Sequence, residues 1–127
     1  MFTWSRVIAL AVAGACGTLA RYGLAGLVQR GQLTSFPWGT LTVNVLGCFL
    51  FGLIWTLTQQ RLVISGETRT IILIGFLGSF TTFSAFLFET DQMLEHRQWL
   101  LAGLNMVAEL GLGLGAYLLG ALLGRIV

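Results

Sequence analysis

Four apolar stretches, each about as long as a helix that crosses a lipid bilayer, constrain this chain more than any other feature. They cover about residues 7–28, 40–58, 70–88 and 100–123. A helix needs roughly 20 mostly apolar residues to cross the hydrocarbon core of a bilayer. Short polar connections separate the stretches. The chain is therefore predicted to be an all-α membrane protein with four transmembrane helices.

The composition agrees with this prediction and leaves room for one domain. Only 9% of the 127 residues are charged and 56% are hydrophobic, whereas a soluble domain carries about 25% charged residues. We therefore interpret residues 1–127 as a single transmembrane domain, a multi-pass protein of the inner (plasma) membrane. All 7 basic residues are arginines and they form no cluster, so the sequence gives no support for nucleic-acid binding.

The arginines are spread almost evenly over the two sides of the predicted membrane. One side has Arg6, Arg61, Arg69 and Arg125, and the other has Arg30, Arg97 and, if its side chain reaches the surface, Arg21. Orientation normally follows a clear excess of positive charge on one side. The balance is compatible with insertion in both orientations, and so with an antiparallel homodimer. A single orientation that is set by other factors explains it equally well.

Glycines at helical spacing predict close contact between helices. The pairs are Gly14/Gly17, Gly111/Gly115 and Gly120/Gly124. Small residues let helix backbones approach one another closely in a membrane. A chain with four spans has little room for an internal pathway, which favours an oligomer, but the sequence leaves open whether these contacts lie within or between chains.

The third span contains the least helix-like stretch of the chain. Gly75 and Gly78 are followed by a run of hydroxyl side chains, and both residue types are weak helix formers. The pattern predicts a helix that is broken at mid-membrane, after the two glycines. Phe80, Phe83 and Phe86 recur every three residues beyond that point, which predicts that they share one helix face. Non-helical backbone at this depth must be buried or line a watery cavity, so the break is the expected functional centre.

Polar side chains within the apolar spans are costly, so each is a candidate for function. They are Arg21 in the first span, Thr40 and Asn44 in the second, and Asn105 and Glu109 in the fourth. Each has a structural alternative: Arg21 can reach the membrane surface instead of shaping a vestibule for anions, and Asn44 can bond a neighbouring helix. Glu109 would repel an anion if it were ionised but could donate a hydrogen bond if protonated. A structural role and a transport role both stay open for it.

The residue sets that most enzymes use are missing from the sequence. There is no Cys/His metal cluster, no phosphate-binding glycine loop before a helix and no Ser-His-Asp set, and the only histidine lies in a loop. We therefore do not expect an enzyme.

Two long motifs resemble the signatures of the Fluc (CrcB) fluoride channels. The first runs from Pro37 to Gly47 (PWGTLTVNVLG) and the second from Gly75 to Phe86 (GFLGSFTTFSAF). The early glycines followed by Arg21 fit the same family, and the likeness covers the whole chain. The resemblance implies an antiparallel, dual-topology homodimer with two pores, which exports cytoplasmic fluoride passively down its electrochemical gradient.

The same resemblance implies roles for individual residues. Asn44 corresponds to the pore amide, and Phe83 and Phe86 correspond to the two pore phenylalanines. The backbone carbonyls of Gly78 and Thr81 correspond to ligands of a central structural sodium ion, to which a second copy would add an equal set. The other residues assigned to the pore are Thr40, Ser84, Asn105 and Glu109, with Arg21 in the vestibule and Glu89 at a further shared position.

The fourth span departs from the family pattern. Asn105 keeps a polar position of the pore track, but Glu109 replaces a neutral polar residue and Gly113 stands where a hydroxyl is common. We therefore expect the pore lining of the fourth helix, and with it the ion throughput, to differ from the family pattern.

Two other functions compete with the channel. A small multidrug-type exporter is also a four-span dual-topology dimer, but its coupling carboxylate belongs in the first span, whereas the only deeply placed carboxylate here is Glu109. A proton-coupled fluoride transporter that uses Glu109 is a narrower form of this rival. A non-transporting helical scaffold explains the glycines but leaves Asn44 and the break without a purpose.

Overall fold

Four long helical spans make up the computed structural model, which describes residues 3–60 and 64–127. They are Trp4–Gln29 (α1), Trp38–Gln60 (α2), Gly66–Glu95 and Trp99–Ile126. Each is long and apolar enough to cross a membrane, and no strand occurs within the two described ranges. The predicted all-α architecture with four membrane spans is confirmed. Arg61, one of the arginines counted above, lies outside the described residues.

The third span is built from several pieces. It begins with α3 (Gly66–Thr70), continues as a π-helical segment (Ile71–Leu77) and a short turn, α4 (Gly78–Phe80), and resumes after a break as α5 (Phe83–Glu95). Thr81 and Thr82 form the break, and their backbone is extended, with ψ angles of 157° and 114°. The break lies near the middle of the span, as predicted, but it comes three residues after the second glycine.

The position of the break corrects the expectation that three phenylalanines share one helix face. Phe80 ends the segment before the break, whereas Phe83 and Phe86 belong to the helix after it. Phe80 is buried in the core beside Val43, and its ring stacks on that of Phe76 at a centroid distance of 6.1 Å. Only Phe83 and Phe86 therefore remain candidates for one common site.

A threonine, rather than a glycine, sets where the helix resumes. The hydroxyl of Thr82 accepts a hydrogen bond from the backbone N–H of Ala85 (3.2 Å), which caps the first turn of α5. Gly78 keeps helical dihedral angles (φ −63°, ψ −30°), and its N–H donates to the carbonyl of Leu73 to close the π-helical segment. The glycine is tolerated inside the helix, and the hydroxyl cap fixes the new helix start.

The last helix, α6 (Trp99–Ile126), packs along α2 through glycines. A Cβ atom at Gly120 would collide with the carbonyl oxygen of Phe49 on α2, and a Cβ atom at Gly52 would collide with the carbonyl oxygen of Tyr117 on α6. Backbone therefore meets backbone at this crossing, which is the close approach that small residues permit in a membrane.

The predicted glycine pairs divide into two groups. Gly17 on α1 faces the carbonyl of Phe76, and Gly124 on α6 packs against α2, so both lie at contacts within the chain. Around Gly111 and Gly115, by contrast, a Cβ atom would have no chain atom within 4 Å. These two glycines face away from the other described helices.

We expect Gly120→Ala to lower the stability of the protein by roughly 1–3 kcal/mol, because the added methyl group forces α2 and α6 apart. The matched variant Gly115→Ala adds the same methyl group to open space and should be neutral, or stabilising by about 0.5–1 kcal/mol through helix propensity. Thermal melting of the purified protein in detergent measures both. Equal melting temperatures for the two variants would contradict this packing.

Candidate functional site

The side-chain amide of Asn44 on α2 bonds both backbone groups of Thr82 in the break. Its Oδ1 accepts a hydrogen bond from the N–H of Thr82 at 2.7 Å, and its Nδ2 donates to the carbonyl of Thr82 at 3.0 Å. Thr82 is the N-cap of α5, so its carbonyl accepts the first hydrogen bond of that helix, but its N–H has no helical partner. An N–H left unpaired in an apolar interior is costly. Asn44, which is only 9% exposed, supplies the missing acceptor and a further donor to the carbonyl. We call these two bonds the Asn44 clamp.

The same amide nitrogen also bonds Glu109 on α6. Nδ2 of Asn44 donates to Oε2 of Glu109 at 3.0 Å. Glu109 is 8% exposed, and its other oxygen, Oε1, is buried without a hydrogen-bond partner among the described residues. The second span, the break in the third span and the fourth span thus meet at one amide.

A cavity of about 190 Å³ lies beside this amide. The rings of Phe83 and Phe86 border it, with centroids 5.5 Å apart and planes tilted by 57°. Phe86 is 4% exposed but Phe83 is 65% exposed, so one side of the cavity is open in the single chain. Its lining consists of Asn44, Cys48, Thr81, Thr82, Phe83, Phe86, Glu109 and Leu110.

A second cavity, of about 340 Å³, also borders on Thr82. Arg21 and Thr40 line it, and the side chain of Arg21 is half-buried. Thr40 is 7% exposed, and its hydroxyl donates to Oε1 of Glu89 on α5 at 2.6 Å. This short bond to a carboxyl group ties α2 to α5. The break therefore borders on both cavities. The guanidinium group of Arg21 lines the second cavity, and the amide of Asn44 and two aromatic rings line the first.

Asn105 on α6 does not line the first cavity. It is fully buried, and its Nδ2 donates to the hydroxyl of Thr90 at 2.9 Å. That hydroxyl donates in turn to the carbonyl of Phe86 at 2.7 Å. In this arrangement Asn105 holds α5 against α6 and so positions the Phe86 ring.

Three buried side-chain oxygens have no hydrogen-bond partner among the described residues. They are Oε2 of Glu89, Oδ1 of Asn105 and Oε1 of Glu109, all on α5 or α6. A buried polar atom without a partner costs about 1–3 kcal/mol. Proteins satisfy such atoms with ordered water, an ion or another chain.

The break leaves two backbone carbonyls, those of Gly78 and Thr81, without their usual helical donors. In a continuous helix the N–H of Thr82 would bond the carbonyl of Gly78, four residues earlier, but here it donates to Asn44 instead. Thr81 is extended, so its carbonyl is likewise outside a helix. Carbonyl oxygens of this kind can replace the hydration shell of an alkali cation. Two carbonyls from one chain are too few for a complete cation site.

The structure brings four of the seven predicted pore residues together at the first cavity and places the other three elsewhere. Thr81, predicted as a sodium ligand, also lines this cavity. Sequence reasoning missed Thr82 as the residue that Asn44 holds and Cys48 as part of the lining. The preference of threonine for the position just before a helix was a signal for the first, and nothing in the sequence indicated the second. Arg21 and Thr40 line the second cavity, and Asn105 bonds Thr90. Ser84 is exposed, with its hydroxyl 3.4 Å from that of Thr82. Gly78 is exposed and lies before the break.

Comparison of the sequence with known proteins shows the family of this chain. The model of the family described as "CrcB-like protein, Camphor Resistance (CrcB)" matches residues 8–121. The chain is a member of the CrcB family. The resemblance seen in the two sequence motifs is therefore confirmed over almost the entire chain.

Curated relatives from several bacteria share this length. A protein of Nitrosococcus oceani is 52% identical over 124 residues, which cover 98% of this chain and 99% of the relative. A protein of Desulforapulum autotrophicum is 48% identical over 122 residues, with 96% and 98% covered. Both are named fluoride-specific ion channel FluC. The family is thus one of ion channels, and the prediction that this CrcB member is not an enzyme agrees with it.

Asn44→Asp should destabilise the protein by about 2–5 kcal/mol. It keeps the acceptor for the Thr82 N–H but sets a second carboxyl oxygen against the Thr82 carbonyl and Oε2 of Glu109. The double variant Asn44→Asp/Glu109→Gln should recover part of the loss, because the new amide can donate to the new carboxylate. Melting temperatures in detergent measure both variants.

The matched control for this recovery is Asn44→Asp/Glu95→Gln, which removes a carboxylate from the exposed end of α5. It should melt like Asn44→Asp alone. Recovery by both double variants would show a general effect of net charge and would contradict the direct contact between Asn44 and Glu109.

Proposed function

We propose that this protein is a fluoride channel, which lets cytoplasmic fluoride leave the cell passively down its electrochemical gradient. The observation that carries the proposal is the near full-length identity of about half to relatives named as fluoride-specific ion channels. The four membrane spans support a multi-pass membrane protein, and we place it in the inner (plasma) membrane. Since the break, the Asn44 amide and two aromatic rings meet at one cavity, we assign the pore to that cavity.

Fluoride is small, strongly hydrated and can only accept hydrogen bonds, so a pore has to replace its water with donors. The Asn44 amide, the hydroxyl of Ser84 and the partly positive ring edges of Phe83 and Phe86 are donors of this kind near the break. The lining of the first cavity contains no basic side chain. A site without a fixed positive charge binds an anion weakly enough to release it, which conduction requires.

We assign Arg21 to the entrance of the pathway. Its guanidinium lines the second cavity with Thr40 and shares Thr82 with the first cavity. A cation at a low-dielectric cleft raises the local concentration of anions. Thr40 holds Glu89 by a hydrogen bond, which takes one oxygen of that carboxyl group out of reach of the ion. Asn105 supports the pore through Thr90.

We infer that two copies assemble as an antiparallel, dual-topology homodimer with two pores. Gly78, Phe83 and Ser84 are exposed around the break although they lie near the middle of a membrane span. Irregular backbone and polar groups at that depth need cover from protein or water. A second copy can provide this cover, and the balanced arginines are compatible with both orientations.

A structural sodium ion at the dimer centre fits the carbonyls of Gly78 and Thr81, with an equal pair from the second copy. When bound, the ion would supply positive charge to carbonyl groups that the break deprives of helical partners. It would hold the two breaks against each other. The role is structural, and the ion takes no part in the movement of fluoride.

A proton-coupled exporter that uses Glu109 is the second candidate. The observation that favours it is the burial of this carboxyl group beside the pore amide, with one oxygen unpartnered. A carboxyl group that alternately binds and releases a proton is what coupling requires. Such a transporter would move fluoride only when a pH gradient drives it, whereas a channel needs voltage alone.

Purified protein in liposomes should release fluoride when valinomycin and potassium set the membrane voltage, without any pH gradient. A fluoride electrode measures the efflux, and chloride-loaded vesicles should release no chloride. Phe83→Ile should lower the fluoride efflux about tenfold or more, since the loss of roughly 1.4 kcal/mol at the rate-limiting position changes a rate by that factor.

The matched control is Phe88→Ile, because Phe88 lies on the same helix with the same 65% exposure as Phe83 but does not line the cavity. It should conduct like the unmodified protein. Efflux that appears only with a proton gradient would establish the exporter in place of the channel. Equal loss in the two phenylalanine variants would contradict the assignment of the pore.

Dual topology predicts that the connection between α1 and α2 and the C-terminal residue are each found on both sides of the membrane. In a Cys16→Ser/Cys48→Ala background, a single cysteine is introduced by Gly31→Cys or by Val127→Cys, at positions on opposite sides of the predicted membrane. A membrane-impermeant maleimide added to intact cells should label about half of each variant, because both orientations occur. Full labelling of one variant and none of the other would show a single orientation.

A further inference from the structure

Both hydrogens of the Asn44 amide nitrogen are already engaged within the chain. An amide nitrogen carries two donors. One bonds the carbonyl of Thr82 at 3.0 Å as part of the Asn44 clamp, and the other bonds Oε2 of Glu109, also at 3.0 Å. The residue best suited to donate to an anion in this cavity therefore has no hydrogen left for one.

The other polar groups of the lining do not replace this donor. The hydroxyl of Thr81 donates to the carbonyl of Leu77 at 3.1 Å. The hydroxyl of Thr82 accepts from the N–H of Ala85 and lies 3.4 Å from that of Ser84, so it is engaged on the side of α5. An anion that enters this cavity has to compete for the Asn44 amide.

We propose that the Glu109 carboxyl group occupies the anion position on the Asn44 amide, so that fluoride must displace it and Glu109 sets the fluoride affinity of the pore. This inference rests on the proposed function of fluoride conduction. Oε2 of Glu109 is an oxygen acceptor at hydrogen-bond distance from the amide, which is the place that a bound fluoride would take. Glu109 is thus an internal competitor of the ion, in direct contact with the residue that binds it.

The surroundings of Glu109 add to this competition. The lining of the cavity contains no basic side chain that would compensate two negative charges at one amide. From α5, the carboxyl group of Glu89 interacts electrostatically with Glu109, and from α2 the neighbouring titratable group is the thiol of Cys48. Fluoride and an ionised Glu109 therefore repel each other, and removal of the charge should help the ion to bind.

Two substitutions separate the charge of Glu109 from its place on the amide. Glu109→Gln removes the charge but keeps an oxygen that can accept from Asn44, whereas Glu109→Ser withdraws the side chain and leaves the amide hydrogen free. We expect Glu109→Ser to lower the half-saturating fluoride concentration of efflux about tenfold, which is the effect of one hydrogen bond to a charged group on a binding constant. Glu109→Gln should give a half-saturating concentration between those of this variant and the unmodified protein.

The matched control is Glu95→Gln, which makes the same chemical change at the exposed end of α5 and should leave the fluoride dependence as it is. Melting in detergent identifies a variant that fails to fold, in which case Glu109→Gln, the more conservative change, decides. An unchanged or higher half-saturating concentration in the folded Glu109 variants would overturn the proposal and make Glu109 a residue that assists fluoride.

A binding measurement separates this proposal from the proposed function. Fluorine NMR titration of each purified variant with sodium fluoride reports binding whether or not the protein conducts. If no variant conducts, the channel proposal fails, and the order of the binding constants still decides the role of Glu109. Tighter fluoride binding by Glu109→Ser than by the unmodified protein supports competition, and equal or weaker binding contradicts it.

Discussion

The pair of hydrogen bonds between the Asn44 amide and the backbone of Thr82 is the interaction on which the site depends. A helix that is interrupted inside a membrane exposes N–H and C=O groups that neither lipid nor a neighbouring apolar side chain can satisfy. An amide side chain offers one donor and one acceptor in the arrangement of a peptide group, so a single asparagine bonds both the N–H and the carbonyl of Thr82. Because that asparagine lies on α2, the break is stable only where the second and third spans are packed together.

The cavity follows from this arrangement. Once Thr82 is fixed outside a helix, its hydroxyl caps α5, and the new helix start sets the direction of Phe83 and Phe86. Glu109 then reaches the same amide from α6 and closes the site. One polar residue of the second span therefore organises the third span locally and contacts the fourth.

The sequence predicted the features that depend on local composition and missed those that depend on distant contacts. The four spans could be read from apolar length alone, and the break from weak helix formers. The third span nevertheless extends to Glu95, beyond the predicted end at residue 88, since helical hydrogen bonding continues after the residues become polar. The exact break could not be predicted, because Asn44 and Thr82 are 38 positions apart and Asn44 and Glu109 are 65 apart.

Exposed surface has a different meaning in this chain than in a soluble protein. Large apolar side chains are exposed on all four spans, as lipid contact requires, so their exposure alone does not identify an interface. Exposed small and polar positions beside the break, such as Gly78 and Ser84, are more informative because lipid does not compensate them.

The π-helical segment Ile71–Leu77 also bears on how the length of this span can change in evolution. A π-helix closes each turn with one residue more than an α-helix, so it can lose a residue and become α-helical. A deletion elsewhere in a regular helix would turn one end against the other by about 100°. A deletion within the π-helical segment would leave Thr82 in place beneath the Asn44 amide. CrcB proteins whose third span differs by one residue are therefore expected to differ in this segment, before the break.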